Sequence, residues 1–222
     1  MTDDTAIEDL TIETAPLGHT FTDKELQEQC AAIFGGVAWP GKHPGFAIVL
    51  ALDTEEYLEG RHMHVLDEVE SRDIGELIRR CTALDVKYKP KIWFGNDRNS
   101  AANRLIFDMM KQRQPRQDTE QQRPGFSVLG SDLLDLETPY SFMLAMLKDL
   151  LNEECRRLFI KDSRVKGHLA QIDQDTDTSA LAFGEYPAIE ALAFVVCEAK
   201  DYEPPKPEKN PYDRRPKGPM VF

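Results

Sequence analysis

Apolar and polar positions divide the first part of the chain into strands and one helix. Residues 46–53 (FAIVLALD) form a continuous apolar run of strand length, which is typical of a strand in the interior of a sheet. Residues 35–39 predict a short strand before it, and residues 62–70 alternate as a third strand. Residues 22–33 predict a helix capped by Thr22. The short connections predict an antiparallel meander of the three strands.

Helical patterns alternate with two further strands in the rest of the core. Asp73 followed three residues later by Glu76 predicts a capped helix start, and positions 74, 77, 78, 81 and 84 form its apolar face. The later predicted elements are a strand at 91–95, a helix from Asn99 or Ser100, a strand at 126–129, and helices at 139–157, 163–172 and 187–200. Strands that follow helical crossovers run parallel to the first strand. The sequence therefore predicts an α/β fold, with a mixed five-stranded sheet and helices on both faces.

The two ends differ in composition from the core. Residues 1–20 predict an acidic extension and residues 201–222 a proline-rich extended tail, so the folded domain is expected at residues 21–200. Residues 111–124 are rich in Gln and Arg, which predicts a mobile loop. The first ten residues lack the basic segment of a secretory signal, and no apolar run approaches the length of a membrane span. We therefore expect a cytoplasmic protein that does not enter a membrane.

The net charge of −12 argues against a protein that coats DNA, because such a protein needs a basic surface. It is compatible with a nuclease, in which carboxylates hold a divalent metal that contacts phosphate. It is also compatible with a protein that binds basic partner proteins. The cysteines, which lack the short paired spacing of a zinc site and are expected to be buried free thiols, are Cys30, Cys81, Cys155 and Cys197.

Four short segments add a family resemblance to this order of elements. They are residues 35–39 (GGVAW) followed by 46–50 (FAIVL), residues 65–68 (VLDE), residues 93–97 (WFGND) followed by Asn99, and residues 185–192 (EYPAIEAL). Together with the element order, they resemble the nuclease domain of phage terminase large subunits, which has a ribonuclease H-like fold. The resemblance covers roughly residues 34–200.

The resemblance implies a metal-dependent DNA endonuclease that acts on double-stranded DNA during phage DNA packaging, with Mg²⁺ or Mn²⁺ as its cofactor. It implies that Asp97, Glu68 and Glu185 or Glu190 are the catalytic and metal-binding residues. The first-strand Asp of the family falls at Ala38, which carries no ligand. The centre is therefore expected to be weakened, and the alternative is a non-catalytic ribonuclease H-like protein that binds packaging or other protein partners.

The absence of a Walker A sequence extends this expectation to a partner. No GxxxxGKS or GxxxxGKT segment occurs in the 222 residues. A separate packaging ATPase is therefore expected, and the resemblance places the protein in a phage or prophage within a bacterial host.

The chemistry explains why acids at strand ends matter. Two-metal cleavage of a phosphodiester needs several carboxylates around ions about 4 Å apart. Asp97 directly follows an apolar strand, whereas Glu190 interrupts an apolar helix and is either a ligand or a buried structural group. Asp67 is expected to point away from Glu68, because neighbours on a strand alternate faces. Asp53 ends the second strand and is expected to lie too far away to replace the missing acid.

Several other residues have two interpretations each. His62 and His64 form either a metal pair or a solvent-facing pair, and His43 is either a phosphate contact or an ordinary turn residue. Trp39 and Trp93 either pack in the core or stack on bases. A basic stretch also has two interpretations, since it either guides a DNA backbone or keeps a loop soluble. It consists of Lys111, Arg113, Arg116 and Arg123.

Overall fold

A computed structural model describes residues 30–54, 60–112, 126–151, 157–160, 165, 167–169, 172 and 181–203. Its strands are β1 (Cys30–Ala38), β2 (Gly45–Asp53), β3 (Met63–Ser71), β4 (Trp93–Gly95), β5 (Val128–Gly130) and β6 (Leu158–Phe159). Its longer helices are α1 (Ile74–Tyr88), α2 (Ser100–Gln112), α3 (Pro139–Leu151) and α4 (Pro187–Ala199), and a 3₁₀ turn covers Asp132–Asp135.

The strands form one mixed sheet in the order β5-β4-β1-β2-β3-β6. β2 is antiparallel to both β1 and β3, whereas β4 is parallel to β1, β5 to β4, and β6 to β3. The predicted interior position of the apolar run in β2 is confirmed. Because every strand except β2 runs in the same direction, five carboxyl ends lie at one side of the sheet, which we call the carboxyl-terminal edge.

Helices cover both faces of the sheet, as predicted. One apolar cluster lies between the sheet and helices α3 and α4, and a second lies beneath α1 and α2. Helix α4 approaches β1 very closely at Gly36, where an added Cβ would lie 2.0 Å from the backbone oxygen of Ala191. Glycine is therefore required there by the packing of α4 onto the sheet.

The predicted helix starts have clear local causes. The Asp73 carboxylate accepts a hydrogen bond from the Glu76 N–H at 2.6 Å, which caps α1. The Asn99 side-chain oxygen accepts one from the Ala102 N–H at 3.0 Å, just before α2. The buried apolar residues of α1 are Leu77, Ile78, Cys81 and Leu84. The capping signals in the sequence therefore indicated the correct helix starts.

Two sequence predictions about elements are wrong. Residues 30–33 belong to β1 and not to a helix, because they pair with β2, with Cys30 opposite Asp53 and Ile33 opposite Ala51. The sheet also has a sixth strand, β6, which pairs with β3, whereas the sequence predicted five strands. Local helix propensity at 30–33 is outweighed by the hydrogen bonds and burial that pairing with β2 provides.

Some predictions fall partly or wholly outside the described residues. Residues 22–29 and the extension at 1–20 lie outside them, as do residues 204–222 of the tail and residues 113–125 of the basic loop. Helix α3 is described to Leu151, and residues 152–156 are not described. Of the helix predicted at 163–172, residues 165 and 167–169 are described and are helical.

The tryptophans and cysteines behave largely as core residues. Trp39 and Trp93 are buried, which favours the packing interpretation over base stacking. Cys81 is buried and Cys30 and Cys197 are half-buried, and all three are free, whereas Cys155 lies outside the described residues. None of the described helices has the length and apolar character that crossing a membrane requires.

Candidate functional site

Ala38 occupies the end of β1, in the middle of the carboxyl-terminal edge. It pairs with Phe46 on β2, which in turn pairs with Glu70 on β3. Ala38 is only 1% exposed and belongs to the apolar cluster beneath α3 and α4. The position at which the resemblance expects an acid is therefore an apolar, buried position.

Asp97 lies in the exposed turn that follows β4. The Trp39 indole N–H donates to the backbone oxygen of Asn96 at 2.8 Å, and the Asn103 amide donates to that of Asp97 at 2.5 Å, which fixes the turn. The Asp97 carboxylate rests over Gly130 on β5, where an added Cβ would lie 2.7 Å from its carbon and both oxygens. Asp97 is therefore turned toward the outer strand β5.

Glu68 lies on β3, on the other side of β1 and β2. It pairs with Ile48, so its side chain shares the face covered by α4, and both carboxylate oxygens are buried. Asp67 lies on the opposite face, as predicted, and it accepts hydrogen bonds from Lys87 and Tyr88 of α1. At about 4.8 Å per strand, β3 is three spacings or roughly 14 Å from β4, so the sheet separates Glu68 from Asp97.

Glu185 lies in the turn before α4, next to the turn that joins β1 to β2. Its carboxylate is 3.2 Å from the Lys42 ammonium and 3.7 Å from His43 Nε2. Lys42 and His43 are exposed, whereas Glu185 is half-buried. The predicted acid therefore faces two basic side chains at the carboxyl-terminal edge.

Glu190 is buried within the first turn of α4. Its Oε1 accepts a hydrogen bond from the Gly184 N–H at 2.7 Å and one from the Tyr140 hydroxyl. Burial raises the pKa of the Glu190 carboxyl, and the charge of nearby Glu185 raises it further, although the hydrogen bonds oppose this shift. The carboxylate is therefore engaged by donors of the protein.

These acids are chemically suited to bind a metal ion, but their placement does not favour it. Carboxylate oxygens suit Mg²⁺ and Mn²⁺. Within the described residues, however, no three His, Cys, Asp or Glu side chains are placed to hold a metal ion together. With an apolar Ala38 between Asp97 and Glu68 as well, the residues do not fit a two-metal centre. The assignment of Asp97, Glu68, Glu185 and Glu190 as metal ligands stays a prediction.

Several edge residues were not identified from the sequence. Tyr140 contacts Glu190, Lys42 contacts Glu185, and Gly130 supports Asp97. His168 lies with its ring centroid 6.2 Å from that of Tyr186, and burial lowers its pKa against the opposing effect of Glu70. None of these pairs has a sequence spacing that signals contact, because each joins distant parts of the chain.

A second group of titratable residues lies at the opposite edge of the sheet. Asp53 pairs with Cys30 at the start of β1, eight residues or roughly 26 Å from Ala38, so it does not replace the missing acid, as expected. His64 Nε2 lies 3.3 Å from the Asp53 carboxylate and its ring stacks on Phe159 at 4.8 Å. His62 and His64 are half-buried by these contacts and do not form a solvent-facing pair.

Solved structures of phage terminases share this fold. The nuclease domain of the g2p large terminase of bacteriophage SPP1, solved with bound Mn, has a TM-score of 0.52 and 16% identity, over 86% of this chain and 97% of that domain. The terminase nuclease of thermophilic phage G20c has a TM-score of 0.52 and 12% identity, over 78% of this chain and 83% of that one.

A large terminase from another thermophilic bacteriophage has a TM-score of 0.53 and 11% identity, over 86% of this chain. This chain spans 44% of the length of that terminase. No protein-family model matches the chain, and no curated protein matches it. The similarity shows that the chain has the ribonuclease H-like fold of terminase nuclease domains.

Proposed function

We propose that this chain is a nuclease-type domain that acts in phage DNA packaging with a weakened capacity to cut DNA. The fold supports the packaging role, since the similar structures are terminase chains and terminase nuclease domains. The observation that supports weakening is Ala38, buried at the centre of the carboxyl-terminal edge with no carboxylate to offer. In this proposal double-stranded DNA is the substrate, and a separate ATPase supplies the motor.

The role of metal in this proposal is limited by the geometry. The SPP1 nuclease domain was solved with bound Mn, which supports Mn²⁺ as the first ion to test here. Asp97 is the exposed acid that follows β4, whereas Glu185 already lies against Lys42 and His43, so Asp97 is the proposed contact for a single weakly held ion.

Cleavage of supercoiled plasmid in Mg²⁺ or Mn²⁺ tests this function. We expect slow or undetectable nicking by the unchanged chain and faster nicking by Ala38→Asp, because an added carboxylate strengthens ion binding. Asp97→Ala in the Ala38→Asp background should remove the gain, and Ala38→Asn should not produce it. Rapid cleavage by the unchanged chain that persists in Asp97→Ala would contradict the proposal.

A second function is favoured by the arrangement of Glu190. Its carboxylate is buried and bound to Tyr140 and Gly184, and no three described side chains are placed to hold a metal ion. This arrangement is sufficient for a non-catalytic ribonuclease H-like protein that binds packaging partners, because such a protein needs the fold but no metal centre. It predicts no cleavage in either ion, even with Ala38→Asp, together with formation of a stable complex with a purified packaging ATPase in analytical ultracentrifugation.

A further inference from the structure

The turn that precedes α4 is held by side chains from two different helices. The Tyr140 hydroxyl of α3 donates a hydrogen bond to Glu190 Oε1, and the same hydroxyl oxygen accepts a hydrogen bond from the Tyr186 N–H at 3.0 Å. Glu190 Oε1 also accepts from the Gly184 N–H at 2.7 Å. Tyr140 and Glu190 therefore bind two backbone N–H groups of one short turn, at residues 183–186.

The turn has packing contacts of its own, since Phe183 stacks on Phe194 and the Glu185 N–H donates to the Ala182 oxygen at 3.3 Å, but α4 supplies no side-chain cap for it. Tyr186 is the N-cap of α4 but makes no side-chain capping bond, and Pro187 has no N–H to contribute. Gly184 has a φ of 98°, a conformation that side-chain-bearing residues rarely adopt. The Tyr140 hydroxyl of α3 instead accepts the N–H of this N-cap residue itself.

The buried setting makes these contacts strong. Tyr140 is completely buried and Glu190 is 3% exposed, so water does not compete for the hydroxyl or the carboxylate. Burial also raises the pKa of Tyr140, which keeps it a hydroxyl donor at neutral pH. Loss of the hydroxyl would leave buried partners without their hydrogen bond.

The consequence lies at the exposed side of the same turn. Glu185 stands between the two backbone groups that are held, and its carboxylate lies 3.2 Å from the Lys42 ammonium. Lys42 is 72% exposed at the carboxyl-terminal edge, where a DNA phosphate can reach it. The position of the turn therefore decides how much of the Lys42 charge is neutralised from within the protein.

We propose that Tyr140 and Glu190 are positioning residues for the turn at 183–186. By fixing this turn, they keep Glu185 against Lys42 and so set the charge that the carboxyl-terminal edge presents to a DNA phosphate. The part that concerns DNA rests on the proposed function, whereas the part that concerns the turn does not.

Amide hydrogen exchange followed by NMR tests the first part in the full chain. Tyr140→Phe should speed exchange of the Gly184 and Tyr186 amides about tenfold. The Tyr186 N–H loses its acceptor, and Glu190, which accepts from the Gly184 N–H, loses the hydroxyl that holds it in place. Glu190→Gln, which keeps an acceptor oxygen, should restore most of the protection that Glu190→Ala loses. The matched control is Tyr88→Phe, which also removes a hydroxyl bonded to a carboxylate, that of Asp67, but on the opposite face.

Fluorescence anisotropy with a short DNA duplex, measured in EDTA, tests the second part. Glu185→Gln should tighten binding about threefold by freeing the Lys42 charge, and Tyr140→Phe should tighten it by a smaller factor. Tyr88→Phe should leave it unchanged.

The outcomes separate the two proposals. Unchanged exchange at Gly184 and Tyr186 in Tyr140→Phe would overturn the positioning role. Faster exchange with unchanged DNA affinity, although Glu185→Gln tightens binding, would overturn the link to Lys42. If the unchanged chain binds no DNA at low salt, the proposed function fails, and the exchange result alone decides whether the turn is held as described.

Discussion

Replacing Ala38 with Asp puts a carboxylate into an apolar cluster. Ala38 is 1% exposed and pairs with Phe46, which is 2% exposed, so the new group enters a position that water hardly reaches. Adding atoms to a packed core costs about 1–3 kcal/mol. An unpaired buried polar group costs about 1–3 kcal/mol more, and a charge costs further.

These terms give the expected size of the effect. We expect Ala38→Asp to lower the free energy of unfolding by roughly 3–6 kcal/mol without metal. In a chain of this length, that corresponds to a fall in Tm of roughly 6–24 °C. If the new carboxylate completes an ion site, Mn²⁺ at about 100 times its Kd should restore about 2.7 kcal/mol.

Thermal unfolding with and without Mn²⁺ measures both quantities. The control is Ala38→Asn, which has nearly the same shape but no charge and should gain no more from Mn²⁺ than the unchanged chain gains. If Ala38→Asp is as stable as the unchanged chain in EDTA, the burial argument is wrong. If Mn²⁺ stabilises Ala38→Asp and Ala38→Asn equally, an ion does not bind at this position.

Two other predictions concern α4 and use urea unfolding. Gly36→Ala should destabilise the protein by roughly 3 kcal/mol because the new Cβ would lie 2.0 Å from a backbone oxygen of Ala191, whereas Gly41→Ala, which meets nothing within 4 Å, should not; equal effects would contradict the packing argument. Burial raises the pKa of Glu190 in the folded state above its ordinary value of 4.5, so folding favours the protonated carboxyl. The free energy of unfolding, compared with that of Glu190→Gln, should therefore fall as pH rises above 4.5. A constant difference between the two proteins from about pH 4.5 to about pH 8 would contradict this.

The sequence was most informative where the structure is decided locally or by burial alone. The apolar run in β2 and the pairing of Asp73 with Glu76 each needed only a few neighbouring residues to interpret. Cys30 and Ile33 were assigned to a helix because their strand conformation depends on partners about twenty residues away on β2. Local propensity cannot report such a partner.

The candidate site was harder to predict because its contacts join distant parts of the chain. The sequence placed Asp97 correctly after β4, since a polar residue there follows an apolar strand. For Glu190 the sequence offered two interpretations. It gave no indication that Glu190 contacts Tyr140, because the two residues are fifty positions apart along the chain. The sequence shows that Tyr186, which precedes Pro187, is not a capping residue, but it does not show that the Tyr140 hydroxyl binds its N–H.

The meander of β1, β2 and β3 has a consequence for the order in which the molecule assembles. Its strands are neighbours both along the chain and in the sheet, so their pairing closes only short loops. The carboxyl-terminal edge instead brings together distant parts of the chain, and its contact between Lys42 and Glu185 joins residues 143 positions apart. An intermediate with α4 undocked can therefore keep the meander while the edge has not yet formed, so the contact between Lys42 and Glu185 exists only on the fully folded chain.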